Sequence, residues 1–95
     1  MKAEQGIPEF QLILADMYRE GAGTVSNMQE AISWYEEASS NGNIEATYKL
    51  GVVYFKGDGV SEDIDKVIEY VELAAKGGYK MAIQALPNMR LLQQR

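Results

Sequence analysis

The sequence has no cysteine and no histidine. Without cysteine there can be no disulfide, no thiolate nucleophile and no thiolate metal site. Without histidine the commonest general base and metal ligand near neutral pH is missing. Proline occurs only at Pro8 and Pro87. Positive charge is also scarce: nine Lys and Arg stand against fourteen Asp and Glu, a net charge of −5. The nine are scattered and form no basic stripe, so no nucleic-acid partner is expected. No apolar run approaches the length needed to span a bilayer. The opening MKAEQGIPEF lacks the apolar core of a signal peptide. A chain free of cysteine fits a reducing compartment, and a cytoplasmic location is expected. Neither a cofactor nor a metal is expected.

What remains is the balance of a globular chain, 46% apolar and 24% charged over 95 residues. That length holds one domain with a modest core. Within it a pattern recurs. Leu14 and Leu50, Tyr18 and Tyr54, Gly21 and Gly57, and Gly23 and Gly59 are each 36 positions apart. Ile32 and Ile68, Ala38 and Ala74, Gly42 and Gly78, and Ala46 and Ala82 keep the same offset without a gap. A repeat of this length holds two helices and two turns. The register is cut at both ends, which a fragment of a longer chain would also show.

The helices follow from apolar spacing and from stop signals. Pro8 suits a first turn, and Phe10, Leu14 and Tyr18, widened by Ile13 and Met17, give an apolar face over about 8–20. Asn27 with Glu30 has the spacing of a reciprocal cap, as does Ser26 with Gln29 one residue earlier. The helix they open, about 28–40, is expected to bury Ala31, Ile32, Trp34, Tyr35 and Ala38, and Asn41-Gly42 ends it. A third helix, about 44–56, is apolar nearly all round: Ala46, Leu50 and Tyr54 on one side, Tyr48, Val52 and Phe55 on the other. Asp63 caps a fourth, about 64–76, expected to bury Val67, Ile68, Tyr70, Val71, Ala74 and Ala75. A fifth begins near Tyr79, with Ala82 and Leu86 repeating Ala46 and Leu50. Pro87 removes a helical hydrogen bond at a cost of ~3 kcal/mol, so a kink or break is expected there, with Asn88 to Gln94 resuming as helix.

These residues resemble the Sel1-like repeat family, a relative of the tetratricopeptide repeat with a longer period and glycine-rich turns. The second unit matches the family pattern at Ala46, Leu50, Gly51, Tyr54, Gly57, Gly59, Val60, Asp63, Lys66, Tyr70, Ala74, Ala75 and Gly78. The first matches at Leu14, Tyr18, Gly21, Gly23, Ala31, Trp34, Tyr35, Ala38 and Gly42. Phe10, Ala15, Thr24, Val71 and Pro87 depart from it. The resemblance implies an all-α fold: an α-solenoid of two helix hairpins, about 8–43 and 44–79, and a partial third unit at 80–95, in one domain. It also implies a non-enzymatic scaffold for protein complexes, since the motif residues are structural.

Several groupings invite a chemical reading. Asp58, Glu62, Asp63 and Asp65 lack the calcium-loop spacing and read as a solvated turn with a helix cap. Trp34 and Tyr35 sit at helical spacing with Ile32 and Ala38, which favours core packing over ligand stacking. Gly21-Ala22-Gly23 and Gly57-Asp58-Gly59 have no preceding strand and no following Gly-Lys-Ser/Thr, so turn glycines are favoured over phosphate loops.

The remaining candidate is the concave surface that the first helix of each unit lines in stacked hairpins. Leu12, Asp16 and Arg19 occupy it in the first unit, Tyr48, Val52 and Phe55 in the second and, if the helix runs on, Gln84, Asn88 and Leu91 in the third, with Glu9, Asp16, Arg19, Glu45 and Lys56 as the polar rim. The residues leave two roles open for Tyr48 and Phe55: contact with a partner, or packing between the first and last helices. The expected function is a protein-interaction scaffold that takes a peptide or partner helix in this groove. The alternative is a self-associating segment of a larger protein or homo-oligomer, because two and a half units fall short of the usual three. Leu86, Met89, Leu91 and Leu92 cannot all face one side, which points to the last helix as the contact between copies.

Overall fold

The computed structural model describes residues 6–21, 27–57 and 60–93. Five helices follow one another: α1 (Pro8–Glu20), α2 (Met28–Ser40), α3 (Ile44–Lys56), α4 (Ile64–Lys76) and α5 (Lys80–Gln93). Among the described residues there is no strand. Gly23, Gly59, Asp58, Ser26 and Gln94 lie outside the described residues.

α2, α3 and α4 start where short polar side chains satisfy free backbone N–H groups. Asn27, Asn43 and Asp63 each accept a hydrogen bond from the backbone N–H three residues on, at Glu30, Ala46 and Lys66. Such a cap contributes on the order of 1 kcal/mol. At the other end α1 and α3 stop at Gly21 and Gly57, in the left-handed region at φ 73° and 66°. A side chain with a Cβ is strained there, which is why glycine recurs at this position.

The connections repeat as closely as the helices. The Asn27 N–H donates to the Tyr18 carbonyl at 2.8 Å, and one repeat on the Asp63 N–H donates to the Tyr54 carbonyl at 3.4 Å. Asn43 N–H to Ala38 C=O at 2.9 Å is matched by Tyr79 N–H to Ala74 C=O at 3.0 Å. Every extensive helix contact joins chain neighbours: α1 with α2, α2 with α3, α3 with α4, and α4 with α5. The result is an elongated stack of 42 × 26 × 16 Å.

Two buried clusters run through it. The first joins Ala15, Ala31, Ile32, Tyr35, Ala38, Ala46, Leu50 and Val53. The second joins Val67, Val71, Ala74 and Ala82, with Tyr48, Tyr54, Tyr79, Leu86 and Met89 packed against it. Trp34 is half-buried against the first cluster, and Tyr70 and Ala75 are half-buried on α4.

Two expectations need correction. The first concerns α1. It buries Gln11 and Ala15, half-buries Leu14 and Tyr18, and leaves Phe10, Ile13 and Met17 exposed. α1 has one extensive neighbour, α2, so the side carrying Phe10, Ile13 and Met17 is left uncovered. Ala46 and Val53, the equivalents of Phe10 and Met17 in α3, are buried in the first cluster. The second concerns Pro87. No break occurs, and α5 runs through it as one helix of 14 residues. The ring lies on the exposed side, as does Ile83 four residues earlier. Pro87 has no N–H to donate to the Ile83 carbonyl, and the helix continues past it with that one bond missing.

Candidate interaction surface

The surface lined by α1, α3 and α5 changes character along the stack. Between α1 and α3 it is charged. The Lys49 ammonium reaches both Asp16 carboxylate oxygens, at 3.0 and 2.9 Å, and Glu45 at 3.3 Å. Asp16 also accepts a hydrogen bond from the buried Tyr35 hydroxyl of α2 at 2.5 Å. Three helices are thus tied at one carboxylate. Burial pulls the Lys49 ammonium toward neutrality, but Asp16 and Glu45 outweigh it and raise its pKa above the ordinary lysine value. Burial, with the bond to Asp16, pushes the Tyr35 phenol well up.

Nearby, Asn41 donates to the buried Gln11 side-chain carbonyl at 3.0 Å, and the Ser39 and Thr47 hydroxyls are 2.5 Å apart. No buried side-chain polar atom among the described residues lacks a partner.

One repeat later the same positions are apolar. Asp16, Tyr35 and Lys49 become Val52, Val71 and Ala85. Between α3 and α5 the surface is a shallow dent lined by Tyr48, Gly51, Val52, Phe55, Val67, Val71 and Met89, with only ≈ 20 Å³ of enclosed space. Tyr48 is held by Tyr79, its ring 5.2 Å away centroid to centroid. Phe55 is 39% exposed at the edge of the dent.

The structure therefore divides the residues expected on this surface. Val52 and Phe55 line the apolar dent, and Tyr48 both lines it and packs into the second cluster. Leu12 packs against the first cluster instead. Asp16 is turned inward to Tyr35 and Lys49, and so belongs to the joint between repeats rather than to an open polar rim. Glu45 joins it through Lys49. Arg19 is half-buried, while Lys56 and Glu9 are exposed. Sequence reasoning missed Lys49, Val71 and Met89. The signal for Lys49 was present: its 36-residue equivalent is Ala85, so charge enters one repeat where the other has none.

Comparison with known proteins decides the family. The Sel1 repeat model matches twice, over residues 8–43 and 44–79. The chain belongs to the Sel1 repeat family. Solved Sel1 structures superpose closely: a Sel1 repeat protein from Oxalobacter formigenes aligns with a TM-score of 0.84 and 38% identity, over 90% of this chain and 65% of that one. A protective antigen present in uropathogenic Escherichia coli strains, displaying an SLR fold, aligns with a TM-score of 0.82 and 32% identity, over 87% of this chain and 18% of that one.

Two Saccharomyces cerevisiae proteins are similar in sequence. They are the activator of C kinase protein 1, 33% identical over 90 residues, and the chitin synthase regulator SKT5, 30% identical over 83. The alignments take in 90% and 86% of this Sel1 chain but only 14% and 12% of those proteins. Sel1 repeats generally serve protein–protein interaction, and the fold here is the Sel1 α-solenoid. No helix among the described residues is long and apolar enough to cross a membrane.

Proposed function

We propose that the α1–α3–α5 surface is the binding face of a non-enzymatic scaffold, and that it receives a peptide or helix of a partner protein. The observation that carries this reading is the switch from Asp16, Tyr35 and Lys49 to Val52, Val71 and Ala85. It leaves one apolar stretch, Val52, Phe55 and Met89, beside a charged stretch built on Lys49 and Glu45. The occupant is amphipathic along its length, apolar where it lies on α3 and α5 and polar where it crosses toward α1. The dent is too shallow to swallow a side chain, so contact is made by laying apolar area across Phe55 and Met89. Lys56 and Arg19 stand at the rim. A non-enzymatic role is supported by the sequence, which holds no His or Cys, and by Asp16 and Lys49, whose charges are already committed to each other.

The test is selection of peptides from a displayed helical library against the purified chain. Selected peptides should carry an apolar patch and lose binding when Phe55→Ala or Val52→Asp is introduced. Peptides indifferent to both changes, yet blocked by substitutions on the exposed side of α2 or α4, would remove the reading.

A second reading has its own observation. We take 80–95 as the opening of a third unit, since Ala82 and Leu86 repeat Ala46 and Leu50. The outer side of α5 carries Ile83, Leu86, Pro87, Arg90 and Leu91 around a groove of ≈ 330 Å³. Ile83 and Leu91 are 52% and 61% exposed. Leu92 is half-buried, so the adjacent leucines diverge. Self-association through this side of α5 would remove that apolar area from water.

A further inference from the structure

The outer side of α5 is matched by a second apolar strip at the opposite end of the stack. On α1, Phe10, Ile13 and Met17 recur at i, i+3 and i+7 and are 40%, 54% and 44% exposed. At about 100° per residue these three fall within one narrow sector. Glu9 and Glu20 flank Ile13 on the same side of the helix, and both are exposed. On α5 the strip of Ile83, Pro87 and Leu91 is flanked by Lys80 and Arg90, also exposed. The Arg90 guanidinium is held at this edge by Glu72, 2.6 Å away.

The charges of the two helices are opposite. With Asp16 paired to Lys49, α1 presents Glu9 and Glu20 against Arg19, a balance of −1. α5 carries Lys80 and Arg90 and no acidic residue, and with Arg90 paired to Glu72 of α4 a balance of +1 remains.

We infer that a second copy of this chain docks head to tail, the α1 strip of one copy seated on the α5 strip of the next. This rests on the reading that α5 is a self-association surface, and it names the surface that α5 meets. Apolar strips of similar width face each other in this arrangement, and Glu9 and Glu20 come beside Lys80. The symmetric alternatives are disfavoured by charge. An α5-to-α5 contact sets Lys80 against its own copy, with Glu72 already holding Arg90, and an α1-to-α1 contact sets Glu9 and Glu20 against theirs. A contact between two different surfaces leaves one of each free at the ends, so it continues into an open row of copies.

Sedimentation of the 95-residue chain up to roughly 1 mM, the weak end of specific affinities, tests this. Mass should climb with concentration and pass the dimer without a plateau, and added salt should reduce it, because the flanking charges are exposed. Ile13→Glu and Ile83→Glu alter exposed side chains, and a thermal melt matching the parent shows that each remains folded. Each variant alone should be monomeric. Mixed, they should form a 1:1 pair and nothing larger, because one intact α1 strip and one intact α5 strip remain between them.

If Ile13→Glu assembles like the parent while Ile83→Glu is monomeric, α5 self-association stands and the head-to-tail arrangement falls. A parent chain that is monomeric throughout overturns both.

Discussion

Asp16 of α1 and Lys49 of α3 meet at 2.9 Å across the joint between the two repeats, and Tyr35 of α2 closes on the same carboxylate. The pair is half-buried, so its value lies in mutual dependence rather than in bare Coulomb attraction. Asp16→Val should cost about 1–3 kcal/mol, the penalty of leaving the Tyr35 hydroxyl without its acceptor and the Lys49 ammonium with Glu45 alone. Combining it with Tyr35→Phe and Lys49→Met makes the joint apolar at similar volume, as it is one repeat later. The triple variant should recover most of the loss. Urea unfolding reads both, and a triple variant weaker than Asp16→Val alone would show that the joint needs its polar groups.

The two clusters depend on a few large side chains. Leu50 is 1% exposed and sits between α2 and α4. Leu50→Ala should destabilise by about 2–5 kcal/mol. Leu73→Ala, at a position that faces solvent, should stay within about 0.5 kcal/mol. Equal losses at the two sites in urea unfolding would contradict this packing.

Alkaline pH should loosen the fold. The Lys49, Tyr35, Tyr70 and Tyr79 pKa values all lie above their ordinary values, the tyrosines through burial first. A pKa raised on folding means that the native state holds its proton longer than the unfolded chain does. The stabilisation is therefore complete below about pH 10, where unfolded Tyr and Lys begin to titrate, and is lost as pH rises further. Stability followed by circular dichroism should be insensitive to these groups up to about pH 9 and fall beyond pH 10. Tyr35→Phe should make the alkaline fall shallower.

Pro87 offers a gain. Alanine there restores the missing N–H of α5 and removes the ring from the helix interior. Pro87→Ala should stabilise by roughly 1–3 kcal/mol and slow amide exchange in the last turns of α5. A lower melting temperature would mean that the ring contributes packing at the outer groove that alanine cannot replace.

The helices were legible in the sequence because their limits are set locally. Asn27, Asp63 and the glycines at 21 and 57 act on residues within one turn of themselves, and the 36-residue offset checks each against its twin. The direction in which each helix packs is not local. Phe10 and Ala46 share a position in the repeat, yet one is exposed and the other buried, because α3 lies between two helices and α1 packs extensively on one. Asp16 shows the same limit. Its spacing placed it on the concave side, but its partners, Tyr35 and Lys49, are nineteen and thirty-three residues away. Pro87 was misjudged for a related reason: whether one missing hydrogen bond breaks a helix depends on what the rest of that helix packs against.

Packing restricted largely to chain neighbours has a kinetic consequence. No β-pairing and no long closure must form before neighbouring helices reward one another, so the contact order is low and folding should be fast for a chain of this length. The same arrangement makes opening local. α1 and α5 each give up one extensive neighbour when they detach, whereas α3 must give up two. Protection against amide exchange should therefore be higher in α2, α3 and α4, which each have two extensive neighbours, than in α1 and α5. The fold behaves as a row of nearest-neighbour steps, in which a terminal helix can lift away and return while the middle of the chain stays closed.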